Sequence, residues 1–582
     1  MKKAFFILIM VLYLGSNPAT AQYSVLFDFS ETEGQFPKSA LTLSSDVLYG
    51  MTTNGGTNDL GCIFRINTDG TGYTKLLDFS GTSNGSYPQG FLTLSDNVLY
   101  GMTWAGGTQD LGCIFKINTD GSGFTKLYDF GGTAIGSYPT GSLTISGNAL
   151  YGMTSRGGAN DLGCIFIINT DGTGYTQLYD FSGTADGDTP YASLTLSGNV
   201  LYGMTAWGGT NDLGCIFKIN TDGSGYTPLL YFDGTENGGN PYGSLTISED
   251  VLYGMTKNGG ADNIGCIFKL NTDGTGYTKL FDFSGEVDGS YPFGSLIISG
   301  DVLYGMTWMG GTNDLGCIFQ FNTMTNEFST LWDFVDNEGG KYPYGDLTIS
   351  GSTLYGVTGY GGANTCGVIF QYFLVPDTQT SNITFPFVGI SVTNISWTNG
   401  NGEKRAVFIK EGTGTITDPD NNTIYSASND WDSKGSQLGT SGYYCVYNDT
   451  GTMVSVNNLT PGTTYTVQAY EYNGEAGNEQ YLLDTETGNP NTFQTESMNA
   501  IQTNRDNPVQ IYSYGNDIYA VIDYCDTKAK LSVYNLSGNC IISEYNLVEG
   551  QNKITGNFHP GVYIIKLVLD DRLYTQKVSI HK

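Results

Sequence analysis

The fold is decided by residues 98–129, which read VLYGMTWAGGTQDLGCIFKINTDGSGFTKLYD. The Leu-Tyr-Gly core of this stretch recurs every 51 residues, beginning at Leu48, Leu99, Leu150, Leu201, Leu252, Leu303 and Leu354. A fixed period of roughly 40 to 50 residues is typical of propellers and other repeat arrays, because one unit cannot bury its own apolar face. The sequence therefore predicts one domain made of seven repeats.

Each repeat contains four short apolar runs separated by turn residues, which is the content of one propeller blade. In the first complete copy these runs, called A to D, are Phe91 to Leu94, Val98 to Thr103, Cys113 to Ile117, and Phe124 to Phe130. Hairpin turns such as Ser146-Gly147-Asn148 join A to B, and Asn118-Thr119-Asp120-Gly121 joins C to D. A calcium loop read from the second turn would place its first ligand at Lys116, a cation, so we interpret it as a turn.

The order of the runs predicts a closed ring. A D-type run, Leu26 to Phe29, precedes every A, B and C run. The last repeat has A, B and C runs at Leu347 to Ile349, Leu354 to Thr358 and Val368 to Phe373, but no D run follows. We expect Val25 to Phe29 to pair beside Val368 to Phe373, which completes a seven-bladed β-propeller and removes an exposed sheet edge.

The repeat resembles kelch-type propellers, which also place a Gly-Gly pair after an "LY" strand. It is more similar to the bacterial GloVer-type tandem repeat, whose LYG-T--GG----G-IF core is matched by Leu99-Tyr100-Gly101, Thr103, Gly106-Gly107, Gly112 and Ile114-Phe115. The resemblance covers about Ser24 to Phe373. It implies an exported protein and carries no particular activity.

The first 21 residues have the pattern of a secretory signal peptide. Lys2 and Lys3 precede an apolar run, Ala4 to Leu14, which is followed by Ala19-Thr20-Ala21. We expect the mature chain to start at Gln22 and to be secreted or attached to the outer-membrane surface. No later stretch approaches the ~20 apolar residues of a transmembrane helix.

Composition favours an all-β protein and excludes some partners. The chain has 82 Gly and 41 Tyr in 582 residues, and its formal charge is −31. Nucleic acids and anionic membranes are bound by Lys/Arg patches, so this charge argues against both. We interpret the charge as a solubility feature of an exported protein.

Six cysteines occupy one equivalent position per repeat: Cys62, Cys113, Cys164, Cys215, Cys266 and Cys317. Equivalent points on neighbouring blades are expected to be too far apart for the ~4.4 to 6.8 Å Cα spacing of a disulfide. The seventh repeat has Val368 there and a displaced Cys366. We therefore predict buried, unpaired thiols that act as small apolar residues and bind no metal. The pairing of Cys525 with Cys540 stays open.

The ligand-binding prediction comes from the loops between B and C. Propeller connectivity places these loops and the D–A loops on one face. The two residues before each Gly-Gly vary between repeats, whereas the Gly-Gly pair is constant. From these positions we predict a recognition face that uses Trp104, Arg156, Trp207, Lys257, Trp308 and Tyr360.

The D–A loops add aromatic and acidic residues to the same face. The aromatic residues are Tyr87, Tyr138, Tyr191, Tyr242, Tyr291, Phe293, Tyr342 and Tyr344, and the acids are Glu31, Glu33, Asp186, Asp188, Glu236, Glu286, Asp288, Asp336 and Glu338. Exposed aromatic residues with polar neighbours suit a sugar ring or a protein partner. The tyrosines beside the recurring Pro have a competing interpretation as wedges between blades.

Catalysis has little support. The two histidines, His559 and His581, lie outside the repeats, so the repeats contain no Ser-His or Cys-His pair and no imidazole metal cluster. We expect no enzyme activity and no cofactor. The alternative is a carbohydrate-active enzyme that uses carboxylates of the D–A loops.

Residues 376–496 resemble a fibronectin type III sandwich, an Ig-like fold. Val392 to Thr398 alternates around Trp397, Arg405 to Lys410 alternates again, and Leu459 to Tyr465 leads into Thr466 to Tyr472. The resemblance implies that Trp397 lies in the core and that Tyr465 forms a tyrosine corner. The stretch Thr415 to Gly442 is an insertion. Such modules usually act as spacers.

Residues 505–582 resemble the type IX secretion C-terminal sorting domain, a small β-sandwich. Three motifs stand in order: Leu531 to Gly538, Pro560 to Leu567, and Lys577 to Lys582. The resemblance covers about Val509 to Lys582. It implies the type IX secretion machinery as a partner, and release from the cell or anchoring on its surface.

Three functions remain open after the sequence. The favoured one is a secreted or surface-anchored binding or adhesion protein whose propeller, residues 22–375, recognises a glycan or a protein. The others are an extracellular carbohydrate-active enzyme and a structural surface component.

Overall fold

The computed structural model describes residues 22–132, 135–336, 339–475, 477–496, 509–514, 517–522, 529–548, 550–569 and 572–580. These residues form β-strands almost throughout, with one short 3-10 helix at Trp431–Ser433 in the described part of the chain. The expected signal peptide, residues 1–21, lies outside the described residues, as do Glu338, Cys525 and His581. No helix among the described residues is long and apolar enough to cross a membrane.

Seven antiparallel four-stranded sheets, called blades 1 to 7, contain the repeats. Blades 1 to 3 consist of β2 (Thr42–Ser44), β3 (Val47–Thr52), β4 (Cys62–Asn67), β5 (Thr74–Asp78); β6 (Thr93–Ser95), β7 (Val98–Thr103), β8 (Cys113–Asn118), β9 (Thr125–Asp129); and β10 (Thr144–Ser146), β11 (Ala149–Thr154), β12 (Cys164–Asn169), β13 (Thr176–Asp180). The B, C and D runs match their strands closely. The A strand begins at Thr93, not at Phe91, because the preceding residues turn into the centre of the ring.

The other four blades repeat this arrangement. They consist of β14 (Thr195–Ser197), β15 (Val200–Thr205), β16 (Cys215–Asn220), β17 (Thr227–Tyr231); β18 (Thr246–Ser248), β19 (Val251–Thr256), β20 (Cys266–Asn271), β21 (Thr278–Asp282); β22 (Ile297–Ser299), β23 (Val302–Thr307), β24 (Cys317–Asn322), β25 (Phe328–Asp333); and β26 (Thr348–Ser350), β27 (Thr353–Thr358), β28 (Val368–Phe373) with β1 (Tyr23–Asp28).

Blades are held together by apolar side chains that cross from one sheet to the next. Between blades 2 and 3, Tyr100 and Ile114 pack against Leu150 and Phe166, and all four are buried. Gly101 is needed at the centre of its strand, because a Cβ there would lie 2.5 Å from Cζ of Phe115. Equivalent clusters occupy all seven interfaces, including the interface between blades 7 and 1. The sheets therefore form a closed, β-propeller-like ring.

Strand β1 closes the ring as the sequence predicted. It pairs antiparallel with β28, so that Ser24 lies opposite Gln371 and Asp28 opposite Val368. On one side the Tyr23 ring stacks on Trp332 of blade 6, with centroids 4.5 Å apart. On the other side Phe27 stacks on Tyr73 of blade 1 at 3.8 Å. One strand thus supplies aromatic contacts to both neighbouring blades.

The six repeated cysteines are free and buried. Each contacts a threonine of the adjacent strand, as in the 3.3 Å contact between Cys113 Sγ and Thr103 Oγ1. Burial raises the pKa of Cys113 to about 11. Val368 takes the same position in blade 7 and is also buried. The position therefore selects a small apolar side chain.

Residues 381–494 form two further sheets. One contains β29 (Ser381–Val388), β30 (Thr393–Thr398) and β33 (Met453–Val456), and the other contains β31 (Lys404–Glu411), β32 (Tyr444–Asp449), β34 (Thr464–Asn473), β35 (Gln480–Tyr481) and β36 (Asn491–Gln494). Trp397, Val407 and Tyr465 share one buried core between the sheets. The Tyr465 hydroxyl accepts a hydrogen bond from the Thr460 backbone N–H at 2.8 Å, as expected of a tyrosine corner.

This region contacts blade 7 at the A–B turn. The Ser352 N–H donates to Oε1 of Glu403 at 3.1 Å, and the Asn473 side chain donates to the Leu374 carbonyl at 2.9 Å. The A–B turns lie on the opposite face from the B–C and D–A loops, because they connect the other ends of the same strands. The contact therefore leaves the predicted recognition face uncovered.

The last strands form a three-stranded and a four-stranded sheet. The first contains β37 (Val509–Tyr514), β38 (Asp517–Ile522) and β41 (Gly550–Ile554), and the second contains β39 (Ala529–Asn535), β40 (Cys540–Leu547), β42 (Gly561–Leu569) and β43 (Arg572–Ile580). Both sheets contribute to one core that includes Ile518, Leu531 and Ile565. The three C-terminal motifs provide strands of the second sheet.

Ring closure predicts that a disulfide can join residues 24 and 371. In the double variant Ser24→Cys/Gln371→Cys, oxidation is expected to form an intramolecular bridge, because the two residues face each other across the strand pair. The bridge links positions 347 apart and is expected to stabilise the fold by up to ~4–5 kcal/mol in the chain-entropy model. Peptide mapping and thermal melts with and without reductant measure both effects. Ser24→Cys alone is the control, and a double variant that stays unbridged contradicts the closure.

Thiol protection tests the packing of the cysteines. In the native chain, iodoacetamide at neutral pH is expected to leave the six blade cysteines unmodified, because they are buried and their thiolate form is disfavoured. The exposed Cys540 serves as an internal positive control. After denaturation without reductant, all six are expected to react, as read by peptide mass spectrometry. Blade cysteines that require reductant before they react would reveal disulfides and contradict the packing account.

Candidate functional site

The B–C loop of each blade pairs with the D–A loop that enters the same blade. In blade 2, Ser86 and Ala105 exchange backbone hydrogen bonds of 2.9 and 3.1 Å, and the Trp104 N–H donates to the Tyr87 carbonyl at 3.2 Å. The same bridge recurs around the ring. The two loop types therefore build one continuous face, as the sequence predicted.

A left-handed residue before each proline directs the chain towards the ring axis. Tyr138 has φ of 56° there, and the equivalent residues are Phe36, Tyr87, Thr189, Asn240, Tyr291 and Tyr342. This backbone region is sterically unfavourable for residues with a Cβ. Its recurrence shows that the loop conformation is held by its surroundings, and the residue after the proline then faces the axis.

The residues after these prolines line a cavity of about 130 Å3 on the axis of the ring. Each blade contributes three consecutive residues. The outermost of the three are Lys38, Gln89, Thr140, Tyr191, Tyr242, Phe293 and Tyr344. The cavity therefore has an aromatic half, formed by blades 4 to 7, and a polar half, formed by blades 1 to 3.

The aromatic half is a continuous arc of touching rings, formed by Tyr191, Tyr242, Phe293 and Tyr344 and called the aromatic arc. Tyr191 stacks on Tyr242 with centroids 4.7 Å apart, Tyr242 contacts Phe293 at 5.1 Å, and Phe293 contacts Tyr344 at 5.2 Å. Trp308 packs behind the arc, 5.5 Å from Phe293 and 5.7 Å from Tyr344. All four rings of the arc are partly exposed, so they offer apolar surface to the cavity.

Two residues deeper, a row of hydroxyl groups narrows the cavity. The Ser142 N–H donates to Ser193 Oγ, and the same bond links each blade to the next until the Ser295 N–H donates to Asp346 Oδ1 at 2.5 Å. Burial raises the pKa of Asp346 above its ordinary value, and its hydrogen bonds with Ser295 act in the opposite direction. At this level the lining is polar in blades 3 to 7, whereas blades 1 and 2 have Ala40 and Phe91 there.

The structure divides the six predicted binding residues into two groups. Lys257 and Trp308, at the first of the two variable positions, reach the aromatic arc: the Lys257 ammonium lies 5.0 Å from the Tyr242 ring centroid and 4.8 Å from that of Phe293. Trp104, at the same position in blade 2, packs against Tyr138 at 5.0 Å. All three side chains are partly exposed.

The second variable position points away from the cavity. Trp207 is 37% exposed and Arg156 is exposed, and neither lines the cavity within the described part of the chain. Tyr360 packs against Phe36 at 4.6 Å and is half-buried. The six residues thus share a face, but only Lys257 and Trp308 contact the rings that line the cavity.

Sequence reasoning missed the polar half of the cavity. Lys38, Gln89 and Thr140 are equivalent to the four aromatic residues of the arc, but their common place in the repeat was not compared. The signal was available, because each of the seven residues directly follows the recurring proline. The serine row carried a similar signal, two residues further along each repeat.

Two of the acids behind the enzyme hypothesis have structural roles. Asp186 and Asp288 are buried, and each accepts a hydrogen bond from the backbone N–H four residues earlier, Ser182 or Ser284, at 2.9 Å. Asn84 accepts the same bond from Ser80 in the equivalent loop of another blade. Asn and Asp accept the same backbone hydrogen bond at this position, so the side chain there stabilises the loop conformation. No group of three or more His, Cys, Asp or Glu side chains suited to a metal occurs among the residues that the structure describes.

Comparisons with solved structures give only weak likenesses. The chain is similar to a nidogen/laminin complex, with 18% identity over 47% of this chain and 91% of the other and a TM-score of 0.32. It is also similar to a puromycin-hydrolyzing peptidase of Mycobacterium tuberculosis, with 13% identity over 65% of this chain and 62% of the other and a TM-score of 0.41. A third similar structure is TolB from Acinetobacter baumannii, with 9% identity over 57% of this chain and 78% of the other and a TM-score of 0.29. At these TM-scores the likenesses carry no inference about this chain.

No curated protein matches the chain. The family model of the Gloeobacter/Verrucomicrobia repeat matches it three times, at residues 12–149, 135–299 and 227–416. These matches span more than half of the chain and coincide with the ring of four-stranded sheets and its first neighbouring strands. The chain therefore belongs to the Gloeobacter/Verrucomicrobia repeat family.

Proposed function

We propose that this protein is a secreted or surface-anchored binding or adhesion protein whose seven-bladed propeller recognises a glycan or a protein at the axial cavity. The observation that carries the proposal is the aromatic arc. Four partly exposed rings occur side by side at positions where the other three blades have Lys, Gln and Thr. Blade packing is the same with either kind of residue, so packing does not explain the arc. Exposed aromatic residues that border polar groups are typical of ligand-binding surfaces.

The same geometry supports binding and not catalysis. The cavity wall offers rings, amides and hydroxyls, and Asp346 is its one carboxylate among the described lining residues. Glycoside hydrolysis commonly uses two carboxyl groups that flank one bond. Asp186 and Asp288, two of the nine D–A loop acids behind the enzyme alternative, form hydrogen bonds within their own loops.

The other regions are proposed to space and export the propeller. The paired sheets of residues 381–494, with their Trp397 core and the Tyr465 hydrogen bond, support a fibronectin type III-like spacer. Its contact at Ser352 lies on the face opposite the cavity, so a spacer there keeps the cavity accessible. The sheet formed by the C-terminal motifs supports a sorting domain for type IX secretion, and a signal peptide at residues 1–21 completes this route.

A glycan array and a pull-down with the mature chain test the proposal. We expect saturable binding to a defined ligand class, abolished when the aromatic arc is disrupted by Phe293→Ser. A well-folded mature chain that binds no glycan and no extracellular protein would instead support the structural surface component. Product analysis on any bound glycan tests the absence of catalysis.

Truncating Trp308 is predicted to weaken ligand binding, whereas truncating Trp207 is not. Trp308→Ala removes the indole that supports Phe293 and Tyr344. Loss of a ring that stacks on a nucleic-acid base typically costs ~1–3 kcal/mol, roughly 5- to 150-fold in affinity, and we expect a loss of the same order. Trp207→Ala is the matched control, because that indole is on the same face but outside the cavity. Isothermal titration with the array ligand and a thermal melt of each variant give the comparison. Equal losses in both variants would contradict the assignment of the cavity.

A further inference from the structure

We propose that the axial cavity accepts the terminal sugar of a glycan and selects one that carries an anionic group, with the sugar ring on the aromatic arc and the anion at Lys38 and Lys257. This inference rests on the proposed binding function and specifies its ligand. Two features support the inference. Lys38 and Lys257 have no acidic partner, and a row of polar residues lies beside the aromatic arc.

The two ammonium groups at the cavity have no carboxylate partner. Lys38 lies 5.4 Å from the Tyr344 ring centroid, and Lys257 lies over Tyr242 and Phe293. Among the described residues, neither group has an acidic side chain within salt-bridge distance. Both lysines are partly buried, and this burial lowers their pKa below the ordinary value. Burial without a counter-charge is unfavourable, so an external anion gains a favourable site there.

Other lysines of the ring form ion pairs with nearby aspartates. On the outer strands, Lys75, Lys126 and Lys279 each pair with the aspartate three residues later at 2.7 to 2.9 Å. The whole chain carries a formal charge of −31. Among the described lysines of the ring, Lys38 and Lys257 are the two that lie over aromatic rings without an ion pair. An anion offers them a charge-assisted hydrogen bond, which is stronger than a contact with a ring.

The size and the floor of the cavity favour a single sugar. One water needs roughly 10 to 15 Å3 of cavity volume, so the cavity of about 130 Å3 has room for about ten waters. This is the space that one pyranose ring occupies. Hydroxyls of Ser193, Ser244 and Ser295 and the carboxylate of Asp346 lie two residues below the aromatic arc. Sugar hydroxyls need both donors and acceptors, and this row provides them. A cavity of this volume has room for one sugar, so we expect the end of a glycan chain to enter it.

The test compares matched oligosaccharides on the full mature chain by glycan array and isothermal titration. The pairs differ only in the terminal sugar, glucuronic acid against glucose and galacturonic acid against galactose, with a terminal sulfated galactose as a third arm. We expect at least tenfold tighter binding of an anionic member than of its neutral partner, and the third arm identifies carboxylate or sulfate as the anion. Equal binding within each pair overturns the inference but leaves the proposed function intact. Absence of binding to every glycan also overturns the inference, whereas the proposed function fails only if the chain binds no extracellular protein either.

Two lysine variants locate the selectivity. Lys38→Met and Lys257→Met keep an unbranched apolar stem on the rings but remove the charge. Each is expected to lower the ratio of anionic to neutral affinity at least fivefold. Lys341→Met is the matched control: Lys341 lies 5.9 Å from the Tyr342 ring on the same face, but it already pairs with Asp336 at 2.8 Å.

The Lys341→Met control also distinguishes anion binding in the cavity from a general electrostatic attraction of anions to this face of the ring. If Lys341→Met lowers the preference as much as the two cavity variants, the cavity assignment is wrong. If a cavity variant fails to fold, as judged by its melting curve, the inference is tested by the comparison of anionic and neutral sugars on the unmodified chain. An acidic peptide that binds more tightly than every anionic sugar and displaces them from the cavity also overturns the inference.

Discussion

The rest of the structure depends on one constraint: the apolar side of each blade is covered only by the next blade. Phe115 and Leu99 of blade 2 are buried by residues of blade 1, and Tyr100 and Ile114 of the same blade bury residues of blade 3. An open row would leave one apolar face exposed at each end. Burial contributes roughly 25 cal/mol per Å2 of apolar surface, so closing the row gains stability without any new type of contact. The chain meets this requirement with six residues, β1, placed before the first repeat.

Closure at a fixed period separates packing from recognition. Because each repeat has the same length, a given position always returns at the same height and at the same distance from the axis. Positions that contact the next blade, such as Leu99 and Phe115, are therefore held constant by packing. The position after the proline faces empty space on the axis, so it can be Lys38 in one blade and Tyr344 in the adjacent one. A nearly symmetric ring can in this way carry an asymmetric cavity.

The sequence was sufficient for the number of sheets and for their closure, because both follow from counting apolar runs. It was less informative about the A strands, since Phe91 is apolar like a strand residue but lines the cavity before the strand begins at Thr93. The six residues predicted to bind a ligand share the face on which the axial cavity opens, but only Lys257 and Trp308 contact its aromatic arc. Two consecutive variable residues, such as Ala206 and Trp207, point in different directions, and only the backbone conformation shows which one faces the axis. The aspartates of the D–A loops were misleading for another reason, because hydrogen bonding within a loop and catalysis both favour a carboxylate.

One of the two boundaries between the aromatic and the polar half of the cavity lies where the ring closes. Blade 7 contributes Tyr344 and Asp346 to the cavity, blade 1 contributes Lys38, and the interface between these blades is formed by a strand from the start of the chain. The opposite end of blade 7 carries the contact between Ser352 and Glu403. A ligand that touches both Tyr344 and Lys38 therefore bridges the one interface whose two sides are distant in sequence. Since any ligand that binds only the folded state stabilises that state, occupancy of the cavity favours the closed ring over forms in which β1 has separated. Under the proposed function, ligand binding and ring closure are therefore energetically linked through the same pair of blades.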